Sequence, residues 1–472
     1  MPPKKPKAAG IEHQDAPLSI IILAAGQGKR MLSDLPKVLQ LLAGTPLLGH
    51  VLDLAASLEP ASIHVVYGHG GERVRQAFEG RPLKWVPQSQ QLGTGHAVAQ
   101  AMPEVPDSHR VLVLYGDVPL LRRETLQELA RTSAGSGLGV LTATVANPTG
   151  YGRIVRGKHG KPKRIVEEAD ANPKERKIRE INTGVVVADA RRLKRWLKAL
   201  KPRNAQGEYL LTDILALAVQ ERCGIASFEA PDVAEVQGVN DRMQLAEVES
   251  EYRRRRARAL MAQGVTLVDP ARVDIRGTVT VGRDVQLDVN VVLEGHVLLG
   301  DRVRIGPNCV LSNVALGADT QVFASSVLQD AQVGKNCRIG PFARVRPKSN
   351  LSDDVHLGNF VEIKASRVGV GSKINHLTYV GDTEVGNGVN VGAGTVTCNY
   401  DGVNKWTTRI GDGAFIGSGS MLVAPVTIGS GATIGAGSTI VSDAPPDKLT
   451  LARGRQQTID TWQRPTKASD KS

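Results

Sequence analysis

From Ile275 to Ile440 an aliphatic residue stands at nearly every sixth position. One ladder runs Ile275, Val281, Leu287, Leu293, Leu299, Ile305, Leu311. A second runs Val333, Ile339, Val345, Leu351, Leu357, Ile363, and a third, past a loop, Ile410, Ile416, Leu422, Ile428, Ile434, Ile440. Neither the 3.6-residue period of a helix nor the two-residue alternation of a half-buried strand generates this spacing. Six residues accommodate one short strand and a corner, and three such units close one triangular coil of a parallel β-helix. Each inward side chain then stacks on the coil beneath, and its burial contributes about 1.5–3 kcal/mol. Glycine often follows the aliphatic residue, as in Ile305-Gly306, Ile339-Gly340, Ile416-Gly417 and Ile434-Gly435. The phase slips by one residue between Leu311 and Leu316 and between Ile363 and Val368, which marks corners or inserted loops.

Before this repeat the pattern is different. Short apolar runs at Ser19–Ala24, Ile63–Tyr67, Val111–Tyr115, Leu138–Val145 and Gly184–Ala188 alternate with helix-like stretches such as Leu47–Ser57 and Glu124–Thr132. That alternation predicts an α/β domain with a mainly parallel, Rossmann-like sheet. Asp241 to Gln263 contains neither proline nor glycine and is rich in Arg, Glu, Ala and Leu, so it reads as a connecting helix. The expected organisation is a disordered basic tail over 1–16, an α/β domain over 17–241, a linker helix over 242–263, a β-helix over 264–442 and a polar tail over 443–472.

Composition changes this picture little. A chain of 472 residues is long enough for two or three domains, and its 4% aromatic content and 50 glycines follow from the repeat. The net charge of +12 suits anionic small substrates, nucleic acid or simply a soluble basic protein. Part of it lies in Lys4, Lys5 and Lys7 and part in Arg253 to Arg256 with Arg258; both clusters read as solvated surfaces. The cysteines at 223, 309, 337 and 398 form no C-x-x-C pair, so neither a disulfide framework nor a zinc knuckle is expected. Leu18 to Ala25 is too short for a signal segment, and no run of about 20 apolar residues exists. A cytoplasmic protein with no membrane partner is expected.

Candidate chemistry begins where the first strand runs into L-A-A-G-Q-G-K-R-M, Leu23 to Met31, followed by L-P-K-V-L, Leu35 to Leu39. Two close glycines after a buried strand let backbone N–H groups approach a phosphate chain, with Lys29, Arg30 and Lys37 supplying positive charge. The loop is neither a Rossmann fingerprint nor a Walker A motif. Asp117, in V-L-V-L-Y-G-D, lies just beyond another buried strand, where open α/β sheets bind ligands. A single carboxylate there suits Mg²⁺, which completes its shell with phosphates and water; the alternative is a helix cap.

Three clusters interrupt the β-helix repeat: G-P-F-A-R-V-R-P from Gly340, N-H-L-T-Y from Asn375 and T-C-N-Y-D-G from Thr397. His376 stands two residues after the ladder residue Ile374, and its polarity serves no packing purpose. Alone it could be inert. Arg346, Lys364 and Tyr379 nearby in the repeat could hold a sugar phosphate beside a base.

Leu23 to Leu39, Q-L-G-T-G-H-A (Gln91 to Ala97), Y-G-D-V-P, T-G-Y-G-R-I, I-N-T-G, N-A-Q-G-E-Y and G-V-N resemble the sugar-nucleotide pyrophosphorylases. Joined to the hexapeptide half, the chain resembles the bacterial bifunctional N-acetylglucosamine-1-phosphate uridyltransferases/glucosamine-1-phosphate acetyltransferases over all but its tails. The resemblance implies a left-handed β-helix, a homotrimer, and UTP and acetyl-CoA as substrates with Mg²⁺ as cofactor. By it, Leu23, Ala24, Ala25, Gly26 and Gln88 hold uracil, and Gly93 and Thr94 line the nucleotide site. Arg30 and Lys37 attend the phosphates. Tyr115, Gly116, Gly152, Glu167 and Asn182 surround the sugar, and Asp117 and Asn240 ligate Mg²⁺. In the second half it assigns Arg346, Lys364, Tyr379 and Asn390 to glucosamine 1-phosphate. Ala393, Ser418, Ala436 and Arg453 go to coenzyme A, Asn399 and Tyr400 to the border of the two, and His376 becomes the general base. Lys29 departs from the family, which usually has threonine there, so a hydroxyl contact to the triphosphate is lost or replaced by a charge.

Three other readings stand beside this one. The chain could be a pyrophosphorylase whose β-helix only assembles or regulates, although N-H-L-T-Y and T-C-N-Y-D-G would then lack a purpose. A zinc-bearing β-helix of the carbonic-anhydrase kind would need clustered histidines, and His296, His356 and His376 are dispersed. A nucleic-acid-binding tail would lack aromatic stacking positions, so no nucleic-acid partner is expected.

Overall fold

The computed structural model describes residues 16–465 except Gln27 and His69. The expected basic tail, with Lys4, Lys5 and Lys7, therefore lies outside the described residues apart from Ala16, as does the chain from residue 466. The chain divides into two compact units between Tyr252 and Arg253, inside the helix Arg242–Ala262.

The first unit is built on a sheet whose strand order is Ile225–Glu229, Leu138–Thr144, Glu180–Asp189, Arg110–Tyr115, Leu18–Ala24, Ser62–Tyr67, Lys84–Pro87. The middle strand Leu18–Ala24 runs parallel to both neighbours. Its Ile20, Ile21 and Ile22 are all fully buried, which a strand can be only when both sheet faces are covered. On one face Ile20 and Ile22 belong to a core with Leu48, Val51 and Leu52 of the helix Leu47–Ser57. On the other, Ile21 shares a core with Val98 and Ala101 of the helix Thr94–Ala101 and with Leu193 and Trp196 of the helix Ala190–Ala199.

One strand differs from expectation. Glu180–Asp189 is longer than the predicted 184–188 and antiparallel to both neighbours in an otherwise parallel order. The chain reaches it through the hairpin of Arg153–Arg156 and Pro162–Val166 rather than through a helical crossover, so its direction reverses.

The second unit is a parallel β-helix of stacked short strands. Every residue of the three aliphatic ladders is buried in a single continuous core, except Val281, which is half-buried and packs against it. Most coils take 18 or 17 residues, as the bonds Arg283 N to Asp301 and Arg302 to Asp319 show. The sequence slip before Leu316 is a coil shortened at its corner, where the strand pairing shifts between Glu294 and Val297. The second slip turns at Ala365, with φ of 45°. One coil takes 25 residues, from Asn387 to Asp412, because the T-C-N-Y-D-G segment loops out of it. Strand pairing continues past Ile440 to Leu449–Thr450. The glycines after the ladder residues stand where one coil lies directly on the next: a Cβ on Gly417 would come within 2.5 Å of the Ala436 nitrogen.

The arginine cluster after Glu251 is not the wholly solvated face that its charge suggests. Arg253, Arg255 and Arg256 are half-buried, and Arg256 donates to the Gly277 carbonyl at 2.8 Å. The long aliphatic stems let these side chains cover apolar surface while their heads find acceptors.

Two imidazoles, one buried and one half-buried, make the first unit acid-sensitive. His64 is fully buried, with Nε2 3.0 Å from Ser62 Oγ and Nδ1 without a partner. Burial, aided by Lys84 and opposed by Glu104, lowers its proton affinity. Burial also lowers that of His50, against the Leu42 carbonyl, Asp53 and Glu249. The unfolded chain therefore binds more protons than the folded one below the ordinary histidine pKa of about 6.5; the stability is present above that value and lost as pH falls. The thermal midpoint of the first unit should drop between about pH 7.5 and about pH 5.5, and His64→Asn should flatten that drop in calorimetry.

Candidate active sites

The first site forms where the parallel strands end. Beyond Leu18–Ala24 and its neighbour Arg110–Tyr115 lies a cleft of 340 Å³, lined by Leu23, Ala25, Gly26, Lys37, Gln88, Gly93, Thr94, Tyr115 and Asp117 among the residues expected there. Open α/β sheets place ligands at such strand ends because the loops diverge there and leave backbone N–H groups facing the gap. Gly93 holds φ of 108°, and a Cβ on it would lie 2.6 Å from the Tyr209 carbonyl, so only glycine lets the two segments meet.

The charges converge within the cleft. The Lys37 ammonium contacts the Asp117 carboxylate and lies 3.3 Å from the Asn240 amide oxygen. Asn240 therefore belongs to this group without lining the cleft. Two hard oxygens already share one cationic head, a donor set that suits a divalent cation. Among the described residues no group of three or more His, Cys, Asp or Glu could hold a metal ion, so a cation here would complete its shell from phosphates and water.

Other expected residues support the cleft from behind or beside it. Ala24 is buried at the end of its strand, and Gly116 N donates to the Leu23 carbonyl at 2.9 Å. Asn182 N donates to the Gly152 carbonyl at 2.8 Å, while Gly152 abuts Glu167. Burial raises the Glu167 carboxyl above its usual range, and Asp213 and Asp170 add to this against the hydrogen bond from Thr212. Burial likewise pushes the Tyr115 phenol far up, reinforced by Asp117 and Glu167. Arg30 and Lys29 are exposed on the turn Lys29–Met31, and Arg30 does not line the cleft.

The second cluster is laid out by coil register. His376 pairs in register with Asn359, and its Nδ1 lies 3.2 Å from Asn359 Oδ1. A carbonyl oxygen accepts, so Nδ1 carries the proton and Nε2 is left as the basic nitrogen. His376 is exposed and precedes a corner at Leu377. On the face beyond that corner lie Tyr379, Lys364 and Arg346; on the face before it Asn390 pairs with Lys373. Asp382 bonds Lys364 Nζ at 2.9 Å and also contacts Asn399, while Arg346 bonds Glu362 at 2.8 Å. These carboxylates hold the lysine and arginine more firmly protonated than usual. Ala393 and Ser418 continue the His376 corner upward, their carbonyls accepting from Gly419 and Gly437 at 2.7 and 2.8 Å; Arg453 donates to the Ala436 carbonyl at 2.9 Å. Tyr400 is exposed on the looped-out segment.

The sequence reading missed Val38, Gln91, Ala97 and Glu208 in the cleft, and Asn359, Glu362 and Asp382 on the β-helix. Gln91, Ala97 and Glu208 lay inside motifs already quoted. Asn359 had a usable signal: it lies one 17-residue coil before His376.

Gly184 offers a test of the cleft's rigidity. With φ of 85° it packs against Tyr115, and a Cβ there would fall 2.5 Å from the ring. Gly184→Ala should displace Tyr115 and cost about 1–3 kcal/mol of first-unit stability. The thermal midpoint of the first unit, followed by calorimetry, should fall with it.

Family models match along the chain: a MobA-like NTP transferase domain over residues 20–216, a GMPPB C-terminal domain over 275–379 and a bacterial transferase hexapeptide of six repeats over 407–442. Bifunctional protein GlmU of Stenotrophomonas maltophilia K279a is 58% identical across 96% of this chain and 99% of its own length. The proteins of that name from Alkalilimnicola ehrlichii and Methylococcus capsulatus are each 56% identical, across 96% of this chain and 98% of theirs. With identity of this degree running through both units, the chain belongs to the GlmU family of bifunctional enzymes, which join a nucleotidyltransferase to a hexapeptide acyltransferase.

Proposed function

We propose that the cleft around Lys37 and Asp117 carries the uridylyl transfer of this enzyme, and the β-helix corner at His376 its acetyl transfer. The chain acetylates glucosamine 1-phosphate with acetyl-CoA and transfers UMP from UTP to N-acetylglucosamine 1-phosphate, releasing pyrophosphate. The observation that carries the first assignment is the convergence of Lys37, Asp117 and Asn240 at the strand ends.

In the cleft, the backbone of Leu23 to Gly26 and the Gln88 amide hold uracil, with Gly93 and Thr94 alongside. Lys37 and Arg30 bind the phosphates, Lys37 by exchanging Asp117 for a phosphate oxygen. Asp117 and Asn240 would hold Mg²⁺, and a bound dication there offsets charge on the departing pyrophosphate. Tyr115, Gly116, Gly152, Glu167 and Asn182 orient the sugar so that its 1-phosphate oxygen attacks the α-phosphorus in line. No protein nucleophile is needed; positioning and charge compensation suffice.

On the β-helix, Arg346, Lys364, Tyr379 and Asn390 hold glucosamine 1-phosphate. Ala393, Asn399, Tyr400, Ser418, Ala436 and Arg453 line the path of acetyl-CoA. Nε2 of His376, freed by the Asn359 bond, takes the amine proton as nitrogen attacks the thioester carbonyl and the thiol leaves. The site residues are spread over two faces and a loop of an open surface, which supports a homotrimer with sites between neighbouring β-helices. Because UTP and acetyl-CoA are cytoplasmic metabolites, we place the enzyme in the cytoplasm. The units are modular in this reading: residues 17–241 carry uridylyl transfer and 264–442 acetyl transfer, joined by a helix over 242–263.

Asp117→Asn replaces a charged oxygen ligand with a neutral one. Uridylyl transfer from UTP should fall at least about 100-fold, the usual loss on removing a key electrostatic group, while acetyl transfer from the same preparation stays near wild type. Unchanged nucleotide chemistry would remove Asp117 from the site.

His376→Ala leaves Arg346 and Lys364 in place. Acetyl-CoA and sugar-phosphate affinities should change little while the acetyl-transfer rate drops by roughly 100- to 10,000-fold. Raising the pH should restore part of it, because more of the substrate amine is then already deprotonated. Lost affinity with normal turnover at saturation would make His376 a binding residue.

A further inference from the structure

The Q-L-G-T-G-H-A motif supplies Gln91, Gly93, Thr94 and Ala97 to the cleft and leaves its histidine outside. His96 is half-buried in the first turn of the helix Thr94–Ala101. It nevertheless reaches a residue that lines the cleft. Its Nδ1 lies 3.1 Å from Nε2 of Gln88, and that same Nε2 lies 3.2 Å from the Gly93 carbonyl. Gln88 is only 5% exposed, and its backbone is pinned by the bond from its N–H to the Tyr67 carbonyl at 2.8 Å.

A side-chain amide turned by half a rotation exchanges its oxygen and its NH2 group at almost no steric cost, so its neighbours decide which way it points. The Gly93 carbonyl can only accept, and the Gln88 atom beside it is therefore the NH2 group. That group turns its second N–H on Nδ1 of His96, which must be the unprotonated ring nitrogen. A neutral imidazole accepts at one nitrogen only, and the buried amide of Gln88 takes it. The proton lies on Nε2, where the Gln100 amide approaches at 3.2 Å. Gln100 matches it by presenting its oxygen, giving up only a long contact of 3.4 Å with the His96 carbonyl. Both N–H groups of Gln88 are thus used within the protein. Its Oε1 has no protein partner among the described residues and is left to the cleft.

We propose that His96 is a positioning residue that sets the base specificity of uridylyl transfer, by holding the Gln88 amide with its oxygen toward the base. This rests on the assignment of uridylyl transfer to the cleft and deepens it. Uracil carries a hydrogen on N3 and meets that oxygen as donor to acceptor. Cytosine has a lone pair at N3, which would set two acceptors against each other. A site built to bond a substrate N–H rejects an analogue lacking it more strongly than an apolar pocket discriminates by size, because a buried polar group is left unpaired. Glutamine alone gives no such selection, since the turned-over amide would offer its N–H groups to cytosine N3. With His96 in place, turning over would set the amide oxygen against both Nδ1 and the Gly93 carbonyl. Without it, only the Gly93 carbonyl opposes the wrong orientation.

The test compares full-length wild type, His96→Leu and His96→Asn in uridylyl transfer with UTP, CTP and ribothymidine triphosphate. In His96→Leu, which offers no acceptor, the preference for UTP over CTP in kcat/KM should fall at least about 10-fold. The loss on UTP should appear in KM, with kcat at saturation within about three-fold of wild type. Ribothymidine triphosphate keeps the N3 hydrogen, so the preference for UTP over it should stay within about two-fold. His96→Asn, whose side-chain oxygen can stand in for Nδ1, should recover most of the preference against CTP. Nitrogen NMR of the wild type should show Nδ1 of His96 unprotonated and Nε2 protonated. An unchanged preference for UTP over CTP in His96→Leu overturns the proposal and leaves the uridylyl assignment standing. So does a fall in both preferences together, which would mean a loosened cleft. A wild-type ring protonated on Nδ1 overturns the proposal even where a variant fails to fold. Wild type that forms no sugar nucleotide from UTP overturns the cleft assignment and the proposal with it.

Discussion

Each coil of the β-helix can bury its aliphatic residues only on the coils above and below, and the second unit depends on that restriction. A side chain at the wrong phase would face solvent, so the inward column from Ile275 to Ile440 fixes the register of every coil. Register in turn fixes which outward residues share a column. His376 meets Asn359, Lys364 lies level with Gly381, and the coil corners align, because the buried column leaves no other alignment. A coil can lengthen only where the chain leaves the stack, as it does in the 25-residue coil that projects Tyr400 while Asn399 stays buried against Asp382.

The first unit solves its problem differently. Its central strand is buried on both faces by helices, so polar chemistry is excluded from the strand and concentrates where the strands end. There Lys37, Asp117 and Asn240 come together from distant parts of the chain, 80 and 203 residues apart along it. The lysine is paired before any ligand enters. Binding a polyphosphate thus exchanges one set of charge-assisted hydrogen bonds for another rather than exposing an unpaired ammonium.

The same economy of partners governs the β-helix site. Lys364 and Arg346 are each paired with a carboxylate, so a sugar phosphate must compete with Asp382 and Glu362. Such pairs at partly exposed positions contribute little stability by themselves, and their more evident effect is to hold the cations in a defined place. Asn359 does the corresponding work for His376 by selecting which nitrogen remains basic.

The six-residue period was legible because it is a local repeat that every coil must satisfy, and the ladder residues are buried as that period requires. The strands and helices of the first unit were legible for a related reason, since continuous apolar runs must be covered on both faces. Motif order carried the family, and with it most of the cleft. The direction of Glu180–Asp189 was not legible, because strand direction depends on how the chain returns after a hairpin and not on the strand's own residues. Nor could the sequence show that Arg255 and Arg256 are half-buried, since Arg256 finds its acceptor at Gly277 beyond the end of its helix, or that Asp382 links Lys364 to Asn399, because those three meet only when a 17- or 18-residue coil closes. Pattern along the chain determined which residues go inside. The tertiary structure alone decided which polar groups meet outside, because pairing across coils and strand ends depends on distances that no local period specifies.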